Sequence, residues 1–202
     1  MKKLVAMSVA AAFLAGTAGA GTLVEVAPEP PVYTPPPAPA AVNWTGAYVG
    51  AQAGYLTNRY TGWADQSGFM GSVFAGYRHD SGSHTWGVEA EIAPATLFGA
   101  TTTWGDDVNY AAGVYLTAGI PVSEDRRTLL SFQAGPSLVL WDAGDGVTGN
   151  SLGLALTAGV EHMVTDSVIL RGGLSYGYTP NLGSEGVTTN SYGVGAGVAF
   201  RF

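Results

Sequence analysis

From Trp44 to the C-terminus, apolar side chains recur at every second position. In the first such stretch Ala47, Val49, Ala51, Ala53 and Tyr55 alternate with Tyr48, Gly50, Gln52 and Gly54. Successive side chains of a strand point to opposite faces, so this stretch predicts a strand with one apolar face and one small or polar face. The same division recurs over residues 72–78, 86–92, 112–119, 130–140, 152–161, 170–178 and 191–202. Segments of about ten to twelve residues have the length of tilted strands that cross a bilayer.

The composition of the two faces decides which one meets the core. In a soluble lipocalin-like barrel the apolar face turns inward and the other face must be water-soluble. Here the second face is rich in glycine, which confers little solubility, and carries isolated Glu and Arg. Small residues suit the crowded interior of a narrow barrel, which leaves the apolar face to lipid. The connections alternate too: 80–84, 121–127 and 163–167 are short, whereas 56–67, 96–108, 142–149 and 179–190 are longer. Short periplasmic turns and longer outer loops are the pattern of an up-and-down membrane barrel. Aromatic residues near the segment ends predict two interfacial girdles. Tyr55, Trp104, Tyr110, Trp141, Tyr178 and Tyr192 lie toward the outer loops, and Tyr77, Trp86, Phe200 and Phe202 toward the periplasm. The predicted fold is therefore all-β: an eight-stranded antiparallel up-and-down transmembrane β-barrel over residues 43–202.

Two different segments precede the barrel. Residues 1–20 begin with Lys2 and Lys3, continue through an apolar run from Leu4 to Ala15, and end in Ala18, Gly19 and Ala20. That order is the signature of a secretory signal peptide, whose removal makes Gly21 the first mature residue. Residues 21–42 hold seven of the chain's eleven prolines. Proline lacks an amide donor and fixes φ, so the segment predicts a disordered, extended arm. At ~3.1 Å per residue it reaches roughly 70 Å, enough to span a gap between two layers of the envelope.

Charge and composition narrow the chemistry. The net charge is −7, and both lysines belong to the signal segment. Nucleic acid is excluded as a partner, because phosphate binding needs clustered Lys and Arg. Cysteine is absent, so no disulfide, lipoprotein anchor or cysteine metal site exists. The charges on the small face are Arg78, Glu89, Glu91, Glu161, Arg171 and Arg201. Three of each sign in a narrow interior are expected to pair, since an unpaired buried charge costs several kcal/mol. Across the turn near Thr165, Glu161 lies within reach of Arg171. Such a network reads either as an ion path or as a closed polar core, and an eight-stranded interior that side chains fill favours the core. His79, His84 and His162 fall at the periplasmic turns, away from the outer loops, and form neither a catalytic nor a metal constellation. No cofactor and no enzymatic activity are read from the sequence. The loop carboxylates Asp65, Asp106, Asp107, Asp142, Asp145 and Glu185 form an acidic outer surface, solvated or bridged to lipopolysaccharide by divalent cations.

The stretch Trp44-Thr45-Gly46-Ala47-Tyr48-Val49-Gly50-Ala51-Gln52-Ala53-Gly54-Tyr55 resembles the opening strand of the small alphaproteobacterial outer-membrane barrels, the opacity-like porin family. Gly87-Val88-Glu89-Ala90-Glu91-Ile92 is similar to that family's third strand, Gly159-Val160-Glu161 to its sixth, and residues 193–202 to its last. The resemblance implies that Phe202, Phe200, Val198, Ala196 and Val194 form the signal read by the barrel-assembly machinery. Some relatives are joined to peptidoglycan through the mature N-terminus, which would here be Gly21. Residues 115–120 lack the paired arginines, and residues 174–178 the glutamate, that many relatives carry there. The expected role is a monomeric scaffold of the outer membrane in contact with lipid and lipopolysaccharide. The alternative is a small pore or a loop-mediated binder of a ligand such as haem.

Overall fold

Alternation of this kind satisfies the backbone only when each strand finds two neighbours, and the chain provides them by closing on itself. The computed structural model describes residues 41–94, 103, 105–144 and 146–202. Its strands are β1 (Gly46–Tyr60), β2 (Gln66–Asp80), β3 (Thr85–Pro94), β4 (Asp107–Pro121), β5 (Thr128–Asp142), β6 (Thr148–Met163), β7 (Val168–Leu182) and β8 (Val187–Arg201). Each pairs antiparallel with its neighbour in sequence, and β8 returns to β1, so the sheet is a closed up-and-down barrel. Closure removes the edge strands whose bare amides hydrocarbon cannot solvate. The signal segment, and the arm as far as residue 40, lie outside the described residues.

The strands are longer than the alternation predicts. β1 has 15 residues and β6 has 16, while β3 has 10. At ~3.3 Å per residue and a tilt of ~40°, fifteen residues rise roughly 38 Å, beyond the ~25 Å apolar band of such barrels. The surplus lies at the end opposite the termini, where 61–65, 143–147 and 183–186 replace three of the four longer loops read from the sequence, while the fourth keeps its length as 95–106. Ladder pairing continues there through polar residues: the Thr57 and Ser67 hydroxyls, for example, are hydrogen-bonded at 2.9 Å. The connections at the other end are tight, as expected. In the β2–β3 turn Gly82 takes a φ of +91°, and its amide donates to Asp80 Oδ1 at 2.8 Å.

The outward face is the apolar one. Leu116, Leu154 and Leu174 are 71%, 60% and 67% exposed. At ~25 cal/mol per Å² an apolar belt of this kind is unfavourable in water and suited to hydrocarbon. Tyr55, Tyr110, Tyr178 and Tyr192 lie outward near the loop end, and Tyr77, Trp86, Phe200 and Phe202 near the terminal end. Trp141 differs from the girdle reading. It shares the inward parity of Gln133 and Val139, is buried, and donates from Nε1 to Ser151 Oγ at 3.1 Å. Trp104 lies outside the described residues.

Inside, bulky aromatics are seated over glycines. Tyr48 faces Gly76, and Phe74 faces Gly50, as direct cross-strand partners of β1 and β2. A Cβ at Gly50 would fall 2.4 Å from the Phe74 ring and 2.4 Å from the Val198 carbonyl oxygen. The bare backbone at these positions makes room in a narrow bore for two large rings, packed edge to face with centroids 6.3 Å apart.

Candidate functional site

The lumen is built in layers, and the layer nearest the middle carries the charges. Arg78 on β2 forks onto Glu161 on β6, with Nη1–Oε2 at 2.7 Å and Nη2–Oε1 at 3.0 Å. Arg171 on β7 donates through Nη1 to both Glu89 oxygens on β3, at 3.1 and 2.9 Å. In a ring of eight strands, β2 faces β6 and β3 faces β7. Both pairs therefore reach across the bore to the opposite wall. Tyr48 donates its hydroxyl to Glu89 at 2.9 Å, and Gln133 Nε2 donates to the same carboxylate at 3.2 Å. The four charged side chains are 9% exposed or less, and their bidentate, hydrogen-bonded geometry is what such burial demands.

The sequence points to six lumen charges, and the structure distributes them differently. Glu161 and Arg171 are register partners on adjacent strands, yet each pairs across the bore instead. Glu91 lies one layer nearer the loops and accepts from Gln52 Nε2 at 2.7 Å. Arg201 lies at the terminal rim, outside the network, where it donates to the backbone carbonyls of Asp166 and Asn43. As the last residue of β8 it has the inward parity but sits beyond the charged layer.

Below the charges, toward the termini, an apolar plug fills the bore. Trp44, Leu129, Met163, Ile169 and Ala199 pack there, and Tyr48 and Phe74 continue the cluster up into the charged layer, where Arg171 lies 4.0 Å from the Phe74 ring. Trp44 precedes β1 and closes the mouth. Its amide donates to Asp80 Oδ2 at 3.0 Å, its indole to the Arg126 carbonyl at 2.7 Å, and its ring lies 5.5 Å from the Arg78 guanidinium. The amide of Val42 donates to the Asp125 carbonyl at 3.2 Å, so the chain is fixed to the rim just before the barrel begins. Sequence reasoning missed this plug. The available signal was the presence of Tyr48 and Phe74 on an otherwise small face, each opposite a glycine.

Above the charges the bore widens into a cavity of about 270 Å³. One side of its wall is bare backbone, because Gly159, Gly173, Gly195 and Gly54 are consecutive register partners across β6, β7, β8 and β1. Tyr60, Trp141, Leu182 and Val187 form a second apolar cluster at the loop end. The residues expected to form the assembly signal share the outer parity of β8: Phe202, just past the strand, is 82% exposed, and Phe200, Val198, Ala196 and Val194 continue the row along the strand. His79 lies tilted against the Trp86 ring with centroids 5.4 Å apart, His84 contacts Ser83, and His162 contacts Thr128, all near the terminal turns. Gly21 lies outside the described residues.

Residues 34–200 match the family model described as the outer membrane protein beta-barrel domain. A 22 kDa outer membrane protein of Rhizobium leguminosarum bv. viciae is 29% identical over 186 residues, covering 81% of this chain and 82% of that protein. Among solved structures, Neisserial surface protein A superposes with a TM-score of 0.57 at 22% identity, covering 78% of this chain and 98% of that one.

Proposed function

Since the chain belongs to the outer membrane protein beta-barrel domain family, whose place is the outer membrane, we propose that it acts there as a monomeric, non-conducting scaffold. The observation that carries this reading is the pair of ion bridges crossing the bore, Arg78–Glu161 and Arg171–Glu89, backed on the periplasmic side by Trp44. A path for hydrated ions would have to break both bridges and displace a buried indole. Each bridge left half-paired costs several kcal/mol, so the sealed state dominates. Three of the four connections at that end, 61–65, 143–147 and 183–186, are tight, which limits loop-mediated capture of a large ligand to the longer connection at 95–106. On the outside, the apolar belt binds lipid, and Phe202 with the row behind it serves recognition by the barrel-assembly machinery. A strain lacking the gene is expected to leak periplasmic protein and to become sensitive to sodium dodecyl sulfate, with both defects reversed by the wild-type gene. An envelope indistinguishable from that of the parent strain contradicts the scaffold.

The anchoring of Val42 and Trp44 to the rim favours a tethering role for the arm as well. Hydrogen bonds to Asp80, Asp125 and Arg126 fix the point from which the arm leaves, so a load on the arm is borne by the barrel. Covalent attachment through Gly21 would then join the barrel to peptidoglycan. Mass spectrometry of lysozyme-digested sacculi should recover N-terminal peptides of the chain carrying a muropeptide. Recovery of free Gly21 alone contradicts the tether.

A further inference from the structure

Among the described residues, the charges inside the bore do not balance. With Arg201 at the rim, two arginines face three glutamates, and the bridges use one glutamate for each arginine. Glu91 is left over. Its described partner is the neutral Gln52 amide, and its carboxylate borders the cavity above the charged layer. The Tyr115 ring folds back over Gly113, the direct cross-strand partner of Glu91, with its hydroxyl end nearest, which brings an aromatic side chain to the same part of the wall. Ser72 Oγ, on the wall of the cavity and 2% exposed, makes no hydrogen bond. Met70, Ala93 and Val139 supply apolar surface around these groups. An apolar cavity with a few convergent polar groups is the form of a small-molecule site. A carboxylate beside a tyrosine ring is the chemistry that selects an ammonium group.

We propose that this cavity binds a small organic cation, with its ammonium group between Glu91 and Tyr115 and its apolar body between Met70, Ala93 and Val139. An engineered cavity of about 150 Å³ holds benzene, so the larger one here suits a cation of about ten non-hydrogen atoms. The site is closed on the periplasmic side by the ion bridges, so the cation is held and not conducted. Binding at this cavity requires neither the scaffold role nor the tether.

The test is calorimetric titration of the full-length mature protein, extracted folded from outer membranes in non-ionic detergent, with benzyltrimethylammonium chloride. Benzenesulfonate serves as the anion control, and empty micelles correct for partitioning. One saturable site is expected for the cation and none for the sulfonate. Glu91→Gln should weaken the cation at least tenfold. Ala155→Leu, which adds bulk to the cavity wall and leaves every charge in place, should abolish binding. Absence of a saturable site in the wild type, or equal binding by both variants, overturns the proposal. Should Glu91→Gln fail to fold, the wild type decides alone: a sulfonate that binds as well as the cation overturns the proposal, and its exclusion supports it.

Discussion

Gly50 is a position where a single methyl group has nowhere to go. The Cβ of an alanine would meet the Phe74 ring and, on the other side, a carbonyl oxygen of β8 that ladder pairing holds in place. The ring can turn, but the backbone cannot, so Gly50→Ala is expected to cost about 1–3 kcal/mol, the range for overpacked interiors. Urea titration of heat-modifiable mobility measures it, and an unchanged midpoint contradicts the close packing of β1 and β8. Arg78 gives a sharper test. Removing it leaves Glu161 buried and unpaired, so Arg78→Ala should lose about 3–5 kcal/mol. Replacing both partners, as Arg78→Met with Glu161→Leu, should restore most of that loss. If the double variant is no more stable than the single one, the bridge is not what makes Arg78 important.

At the scale of elements, the turns at the terminal end hold a titration. Asp125, in the β4–β5 turn, accepts from the Arg127 amide at 3.0 Å and from the Ser123 hydroxyl at 2.7 Å. These bonds hold its carboxyl below the usual carboxylate range. A carboxyl lowered in the folded state stabilises the fold above its ordinary pKa of ~3.9, and the gain disappears as pH falls through the lowered value. The side-chain carbon resonance of Asp125 should therefore titrate at lower pH in the folded barrel than in urea. Coincident midpoints contradict the turn geometry. The strands themselves were legible in the sequence because a lipid-facing belt forces strict alternation, as in Val114, Leu116 and Ala118 of β4. Their full length was not. Beyond the belt, residues such as Asn58 and Gln66 pair as strand but look like loop, because water tolerates a polar side chain on either face. Trp141 was misplaced for a related reason: nearness to a strand end suggested the girdle, whereas its inward parity decided the matter.

For the whole molecule, the charged residues of the lumen could be read from sequence, but not which pairs they form. Alternation places Arg78, Glu89, Glu161 and Arg171 on the inner face. Only closure of eight strands brings β2 opposite β6 and β3 opposite β7. Sequence neighbours suggest pairing along the sheet, whereas a bore this narrow lets long side chains reach the far wall. The Trp44 plug was equally hidden, since it depends on a residue outside any strand folding back into the mouth. Under the proposed function, these features make a membrane cylinder that is stapled shut from within. Single-channel recording in planar bilayers tests this most directly, using the purified folded protein beside Trp44→Ala/Arg78→Ala. The wild type is expected to give a flat current trace, with steps emerging only in the variant that lacks the indole and a bridge. Stable unitary steps from the wild type would contradict the sealed barrel.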